Sequence, residues 1–177
     1  WLDFLDFPTL VMTSANPGGE PLVAGNAEAI ERLGGIADAL LVHDRDIVVR
    51  CDDSVVQSMD GHAQFVRRAR GYAPRAIRLG DERAPVLALG AHLKDTICAT
   101  RADEAFVSQH IGTLDNAETI KVLEETTTHL LGLLQVQPVT IAHDLHPDFA
   151  STQLAGTLAD RFDVPLLAVQ HHHAHLA

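Results

Sequence analysis

The chain has 177 residues, enough for one ordinary domain or two small ones. With 46% hydrophobic and 21% charged residues it is globular in composition, which argues against extensive disorder. A net charge of −11 argues against an electrostatic nucleic-acid binder, which needs a basic surface to displace counterions, but it leaves room for a local arginine cluster that grips phosphate.

The two cysteines, Cys51 and Cys98, lie far apart and form no C-x-x-C pair, so a disulfide framework is not expected and a reducing, cytoplasmic setting is. No run of about 18 apolar residues occurs, so no membrane span is expected. The opening "WLDFLDFPTL" lacks a methionine and a basic n-region, and so is no signal peptide. It reads like the tail of a helix running into a strand, as in a piece of a longer protein.

In chain order, "TLVMTSAN" predicts a buried strand, Thr9–Thr13, ending in a polar loop that Pro17, Gly18 and Gly19 turn. Ser14, Asn16 and the glycine backbone offer donors to an anion such as phosphate; a capped turn is the plainer reading. Asn26–Leu33 predicts a short helix with Asn26 as N-cap. "ALLVHD", "SVVQSM" and "AQFVRRAR" are strand-like. The last opens the arginine cluster Arg67–Pro74, which reads as a solvated face or, beside the serine–asparagine loop, as guanidinium forks for phosphate. The polar stretch Arg78–Val86, with Gly80 and Pro85, is the best boundary.

Beyond it come strand candidates Val86–Gly90, Thr96–Arg101 and Ala105–Gln109, the last two joined as a hairpin around "RADEA". A helix over Ala117–Val136 follows, with Ile120, Leu123, Leu130, Leu131 and Leu134 partly at helical spacing. "VTIAHD" predicts a strand, Ser151–Phe162 a helix and "VPLLAVQ" a buried strand. Strands followed by helix–strand–helix–strand imply an α/β mixed sheet with helical crossovers, the start of a ribonuclease-H-like domain as in actin-like ATPases.

Three clusters could carry chemistry. "SQHIG" sets Gln109 beside His110, a weak signal alone. "DLHPD" places Asp144, His146 and Asp148 after a strand, where they serve as ligand-facing groups or as helix caps. "QHHHAH" puts His171 and His175 four apart, hence on one helical face, a spacing suited to two imidazoles on one metal. His172 and His173 would point about 100° and 200° away. Ala174 interrupts the run, unlike a purification tag, and a core helix does not bury four imidazoles without partners. A borderline ion such as Zn²⁺ or Fe²⁺ suits the pair.

Taken in order, "VMTSANPGGEPL", "DDSVV", "RRARGYAP", "LALGAHLKDT", "SQHIGTL", "DLHPDF" and "VQHHHAHLA" resemble HypF-type carbamoyltransferases of [NiFe]-hydrogenase maturation. The resemblance covers essentially the whole chain. It implies the C-terminal half of a YrdC-like α/β domain over residues 1–80, then the N-terminal half of a threonylcarbamoyltransferase-like domain of the ribonuclease-H-like, actin-like ATPase class over 84–177. It further implies an ATP-dependent carbamoyltransferase using carbamoyl phosphate, Mg-bound ATP and a divalent metal (Zn or Fe). The partner implied is HypE, whose C-terminal cysteine takes the carbamoyl group.

By position, Ser14 and Asn16 fall on the family's nucleotide-binding motif. Ser54, Arg68 and Arg70 match later nucleotide-contacting segments, with the primary arginine open. His171 and His175 fall on its metal pair, and Lys94, Gln109, His110, Asp144 and His146 would line the transfer pocket. Small-molecule O-carbamoyltransferases and tRNA threonylcarbamoyl components use related domains; linear order argues against the first, and the acidic charge and the HHHAH run against the second. Alone, the segment is expected to be inactive, with uncovered edge strands and apolar faces that favour self-association.

Overall fold

The computed structural model describes Thr9 and residues 11–177. The first unit has little regular structure. Helix α1 has the expected bounds (Asn26–Leu33) but is capped one residue earlier: Gly25 is the N-cap, and Glu28 reaches back to accept from the Gly25 and Ala24 N–H groups at 3.3 and 3.2 Å. The Asn26 amide is committed elsewhere, donating to the His43 carbonyl at 2.6 Å. Strands β1 (Val55–Met59) and β2 (His62–Arg67) form an antiparallel hairpin. Its two-residue turn, Asp60–Gly61, has φ of 50° and 78°, the left-handed pair that matches strand twist.

Two strand expectations are corrected. Thr9 and Val11–Thr13 are irregular and Val11 is 97% exposed, while Leu10 lies outside the described residues. The segment "ALLVHD" is likewise irregular. Apolar, strand-like composition forms no strand without a neighbour to complete its hydrogen bonds, and none of the described segments pairs with either.

The second unit is a five-stranded sheet in the order β3–β5–β4–β6–β7, comprising β3 (Ala76–Arg83), β4 (Val86–Leu89), β5 (Ile97–Val107), β6 (Thr140–Asp144) and β7 (Leu166–Val169). The polar stretch from Arg78 is therefore no linker: β3 runs through it and pairs antiparallel with β5, so this sheet begins at Ala76. β5 doubles back on itself. Ala102 is left-handed (φ 52°), and the Ser108 N–H donates to the Ile97 carbonyl at 2.8 Å, a closure that an extended eleven-residue strand could not make. Its first arm pairs with β4 and its second with β3, which is the hairpin expected around "RADEA".

Helix α2 (Ala117–Leu134) is capped by the Asn116 side chain, which accepts from Thr119 N–H at 2.8 Å; it stops two residues short of the expected Val136, at the left-handed C-cap Gln135. Leu123, Leu130, Leu131 and Leu134 are buried against Leu87, Leu89 and Ile97 of the sheet. Helix α3 (Ala150–Phe162) is the crossover between parallel β6 and β7. "VPLLAVQ" is not a buried strand: β7 is the sheet edge, with Leu166 and Leu167 46% and 53% exposed. Helix α4 (His171–Leu176) follows it directly. The carboxyl ends of β4, β6 and β7 thus gather Gly90, Asp144 and the histidine run on one rim, where ligands bind in open α/β sheets. No helix of the described residues is long and apolar enough to cross a membrane.

Candidate functional sites

The first site lies on that rim. Gln170 caps α4, its side-chain oxygen accepting from the His173 N–H at 3.0 Å. One turn along, His171 and His175 face each other with Nε2 atoms 3.2 Å apart. Two imidazole nitrogens bound to a tetrahedral Zn²⁺ at about 2.0–2.1 Å lie about 3.3 Å apart, so the separation of this pair matches that of two ligands on one metal. Behind it, Asp144 Oδ2 lies 2.7 Å from His171 Nδ1. Burial pushes the Asp144 carboxyl up, but the His146 N–H and the His171 ring outweigh it and hold its pKa below the ordinary carboxylate value. A cavity of about 150 Å³ opens beside Gly90, Asp144, Val169 and His171.

No cluster of three or more His, Cys, Asp or Glu suited to a metal occurs among the described residues, so the pair would supply only part of a coordination sphere. His172 bonds Gln170 Nε2 through Nδ1 at 3.0 Å. His146 is used locally: its ring stacks on Phe149 at 4.2 Å and its Nδ1 accepts from the Asp148 N–H at 3.2 Å.

The second site is the seam between the units, a cavity of about 310 Å³. Ser14, Asn16, Arg50, Asp52 and Arg67 line one side, and His110 to Thr113 with Thr119 line the other. Asn16 folds its loop into place: its amide donates to the Glu20 and Pro17 carbonyls at 2.7 and 3.1 Å and its oxygen accepts from the Ser14 hydroxyl. Of the arginine cluster only Arg67 lines this cavity, paired with Asp52. Arg68 spends its guanidinium on the Val107, Tyr72 and Arg75 carbonyls at 3.0, 2.8 and 3.0 Å. Arg70 pairs with Asp53 at the surface. Ser54 closes that corner, bonding the Arg70 carbonyl at 2.9 Å and the Ala69 N–H at 2.8 Å.

The expected transfer residues are therefore not gathered in one place. Lys94, itself left-handed (φ 52°), lines a neighbouring cavity of about 260 Å³ with Arg67, Arg68 and His110. His110 borders both cavities; burial, then Arg67 and Lys94, lower its pKa against the pull of Asp52, so its ring is neutral near pH 7. Gln109 instead ties the units together, its amide donating to the Arg50 carbonyl at 3.3 Å. Arg50 does the same through Glu125 at 2.7 Å, and Glu28 of its own unit holds it at 2.9 Å. The sequence offered no sign of Arg50, which sits in an irregular segment, or of Asp52 as the partner of Arg67.

An anion-suited polar loop on an α/β fragment, docked against a ribonuclease-H-like sheet that carries a histidine pair on its rim, defines a YrdC-like segment joined to a Kae1-like one. The profile of the HypF Kae1-like domain matches residues 81–177, and the Sua5/YciO/YrdC profile, described as telomere recombination, matches residues 2–69. The chain belongs to the HypF family.

It is 60% identical over 181 residues to carbamoyltransferase HypF2 of Cupriavidus necator, covering 100% of this chain and 22% of that protein. It is 56% identical over 168 residues to carbamoyltransferase HypF of Rhizobium leguminosarum bv. viciae, covering 95% and 22%. The crystal structure of full-length HypF in the phosphate- and nucleotide-bound form superposes with a TM-score of 0.86 at 45% identity, covering 92% of this chain and 25% of that one. HypF of T. kodakarensis superposes with a TM-score of 0.86 at 39% identity, covering 93% and 21%. The chain thus spans about a fifth to a quarter of the length of these proteins.

Proposed function

We propose that the protein containing this chain is an ATP-dependent carbamoyltransferase whose two half-reactions are divided between the two units. The observation that carries this reading is the 60% identity to a carbamoyltransferase across the whole chain. The superposition on a phosphate- and nucleotide-bound HypF supports ATP as a substrate.

In the first half-reaction, carbamate derived from carbamoyl phosphate attacks the α-phosphorus of Mg-bound ATP, and pyrophosphate leaves. This forms carbamoyl-adenylate at the seam cavity. The loop shaped by Asn16 supplies neutral donors, and Arg67 supplies a cationic fork, each charged hydrogen bond contributing roughly 1.5–3 kcal/mol. His110 and Lys94, on the side shared with the second cavity, orient the carbamoyl group.

In the second half-reaction, the C-terminal cysteine sulfur of a HypE-type partner attacks the carbamoyl carbon and AMP leaves. The resulting thiocarboxamide is the precursor of the hydrogenase cyanide ligand. His171 and His175 would hold a Zn²⁺ or Fe²⁺ ion, which when bound polarises the carbamoyl carbonyl. Asp144 holds His171 in place. The unpaired Cys51 and Cys98 suit a cytoplasmic protein.

The loop assignment is tested in the intact protein by carbamoyl-phosphate-dependent ATP–pyrophosphate exchange. Asn16→Ala releases the Glu20 and Pro17 carbonyls and the Ser14 hydroxyl, and exchange is expected to fall about tenfold or more with metal content unchanged, since each lost bond is worth about 1 kcal/mol. Unaltered exchange kinetics would count decisively against the assignment.

A further inference from the structure

We infer that Asp144 is the positioning residue of the histidine pair: it fixes the protonation pattern of His171 so that the Nε2 atom facing His175 is the one free to take a metal. The inference rests on the metal-pair reading above and concerns a group that would touch the ligand, not the ion. Asp144 is well placed for this. It is the last residue of β6, paired with Val169 at the end of β7, so its backbone is fixed relative to the start of α4. Its side chain is only 8% exposed although His171 is 50% exposed. Oδ1 accepts from the His146 N–H at 2.9 Å, which leaves Oδ2 aimed at His171 Nδ1 at 2.7 Å. The Thr152 hydroxyl donates to the Asp144 carbonyl at 3.1 Å and anchors the residue to α3.

The proton positions follow from donor and acceptor counting. An ionised carboxylate only accepts, so the 2.7 Å contact requires the hydrogen on His171 Nδ1. A neutral His171 ring then carries a lone pair on Nε2, and the 3.2 Å contact requires that His175 Nε2 be the donor. A metal entering between the rings takes the place of that one hydrogen. His175 keeps its charge balance by holding its proton on Nδ1 instead, and His171 needs no change at all. Carboxylate pairing behind a ligand also raises the basicity of its metal-facing nitrogen. Without Asp144, His171 is free to carry its proton on Nε2, where it blocks the metal and repels the His175 donor.

The test uses the intact protein and Asp144→Asn, which keeps the shape and removes the charge. Two readouts are taken: Zn²⁺ affinity by competition with a chromophoric chelator, and the ¹⁵N shifts of the His171 ring in metal-free protein, assigned with His171→Gln. Wild type is expected to show the Nδ1–H form of His171, and the variant a mixture, with Zn²⁺ affinity lower by about 10–100-fold. Affinities equal within twofold, or an Nε2–H ring in wild type, would overturn the inference while leaving the metal pair standing. No Zn²⁺ bound by wild type would overturn the metal-pair reading and the inference with it.

Discussion

Replacing Asp95 with asparagine is expected to flatten the pH dependence of stability, leaving the variant about 3 kcal/mol more stable relative to wild type at pH 8 than at pH 5. Asp95 is 3% exposed, and neither carboxyl oxygen has a hydrogen-bond partner. Burial pushes its pKa from 3.8 up to about 7; the Thr96 and Ala91 N–H groups point toward it and offset part of this without closing bonds of ordinary geometry. No ion pair among the described residues reaches it.

The folded pKa lies above the unfolded one, so between roughly pH 4 and 7 the fold holds a proton that the unfolded chain has released. Stability therefore falls as pH rises through that window and levels off above it. Asparagine has no proton to lose, so this limb disappears. Denaturant midpoints of both proteins at pH 5 and pH 8 measure the effect, and parallel shifts would show that the carboxyl is not held neutral. Gly90 gives an independent check on the same packing. A Cβ there would stand 1.8 Å from Asp95 Oδ1 and 2.8 Å from the Thr96 carbonyl, so Gly90→Ala is expected to cost about 1–3 kcal/mol through overpacking, seen as a lower midpoint at both pH values.

Locally encoded elements were legible in the sequence, and those decided by distant partners were not. Strands β1 and β2 were legible in the runs "SVVQSM" and "AQFVRRAR", and α2 in its partly helical leucine spacing. Thr9–Thr13 and "ALLVHD" misled because strand composition does not name a partner. β3 misled in the opposite direction. All eight of its residues are exposed, and it carries Arg78 and Arg83 in ion pairs with Asp103 and Asp81, so an edge strand whose charges guard against mispairing reads as a linker.

The sites divide the same way. The i, i+4 rule placed His171 and His175 on one face, but Asp144 sits 27 residues upstream and only the β6–β7 register brings it behind His171. Among Arg67, Arg68 and Arg70, composition could not say which faces the seam. Side chains alternate along an extended segment, and the partner that decides the matter is Asp52 across the loop.

His175→Ala is expected to strip the ion and cut carbamoyl transfer by at least about a thousandfold while carbamoyl-adenylate formation persists. The magnitude follows from what one ligand contributes. Loss of the metal removes the polarisation of the carbonyl, worth several kcal/mol, and each 1.36 kcal/mol is a factor of ten in rate. Within this chain the metal would rest on two imidazoles; removing one leaves His171 and its Asp144 support as a single point of attachment. The proposed adenylate site is the seam cavity, whose lining includes none of the rim histidines, so exchange is expected to stay within about twofold of wild type. His172→Ala is the matched control. Its ring contacts Gln170 rather than the Nε2 pair, and both metal content and transfer are expected to remain close to wild type. Metal analysis, ATP–pyrophosphate exchange and transfer assays on the intact protein separate these outcomes. Full occupancy with normal transfer in His175→Ala would falsify the site, and loss of metal in both variants would mean that the run binds as a diffuse cluster rather than as an i, i+4 pair.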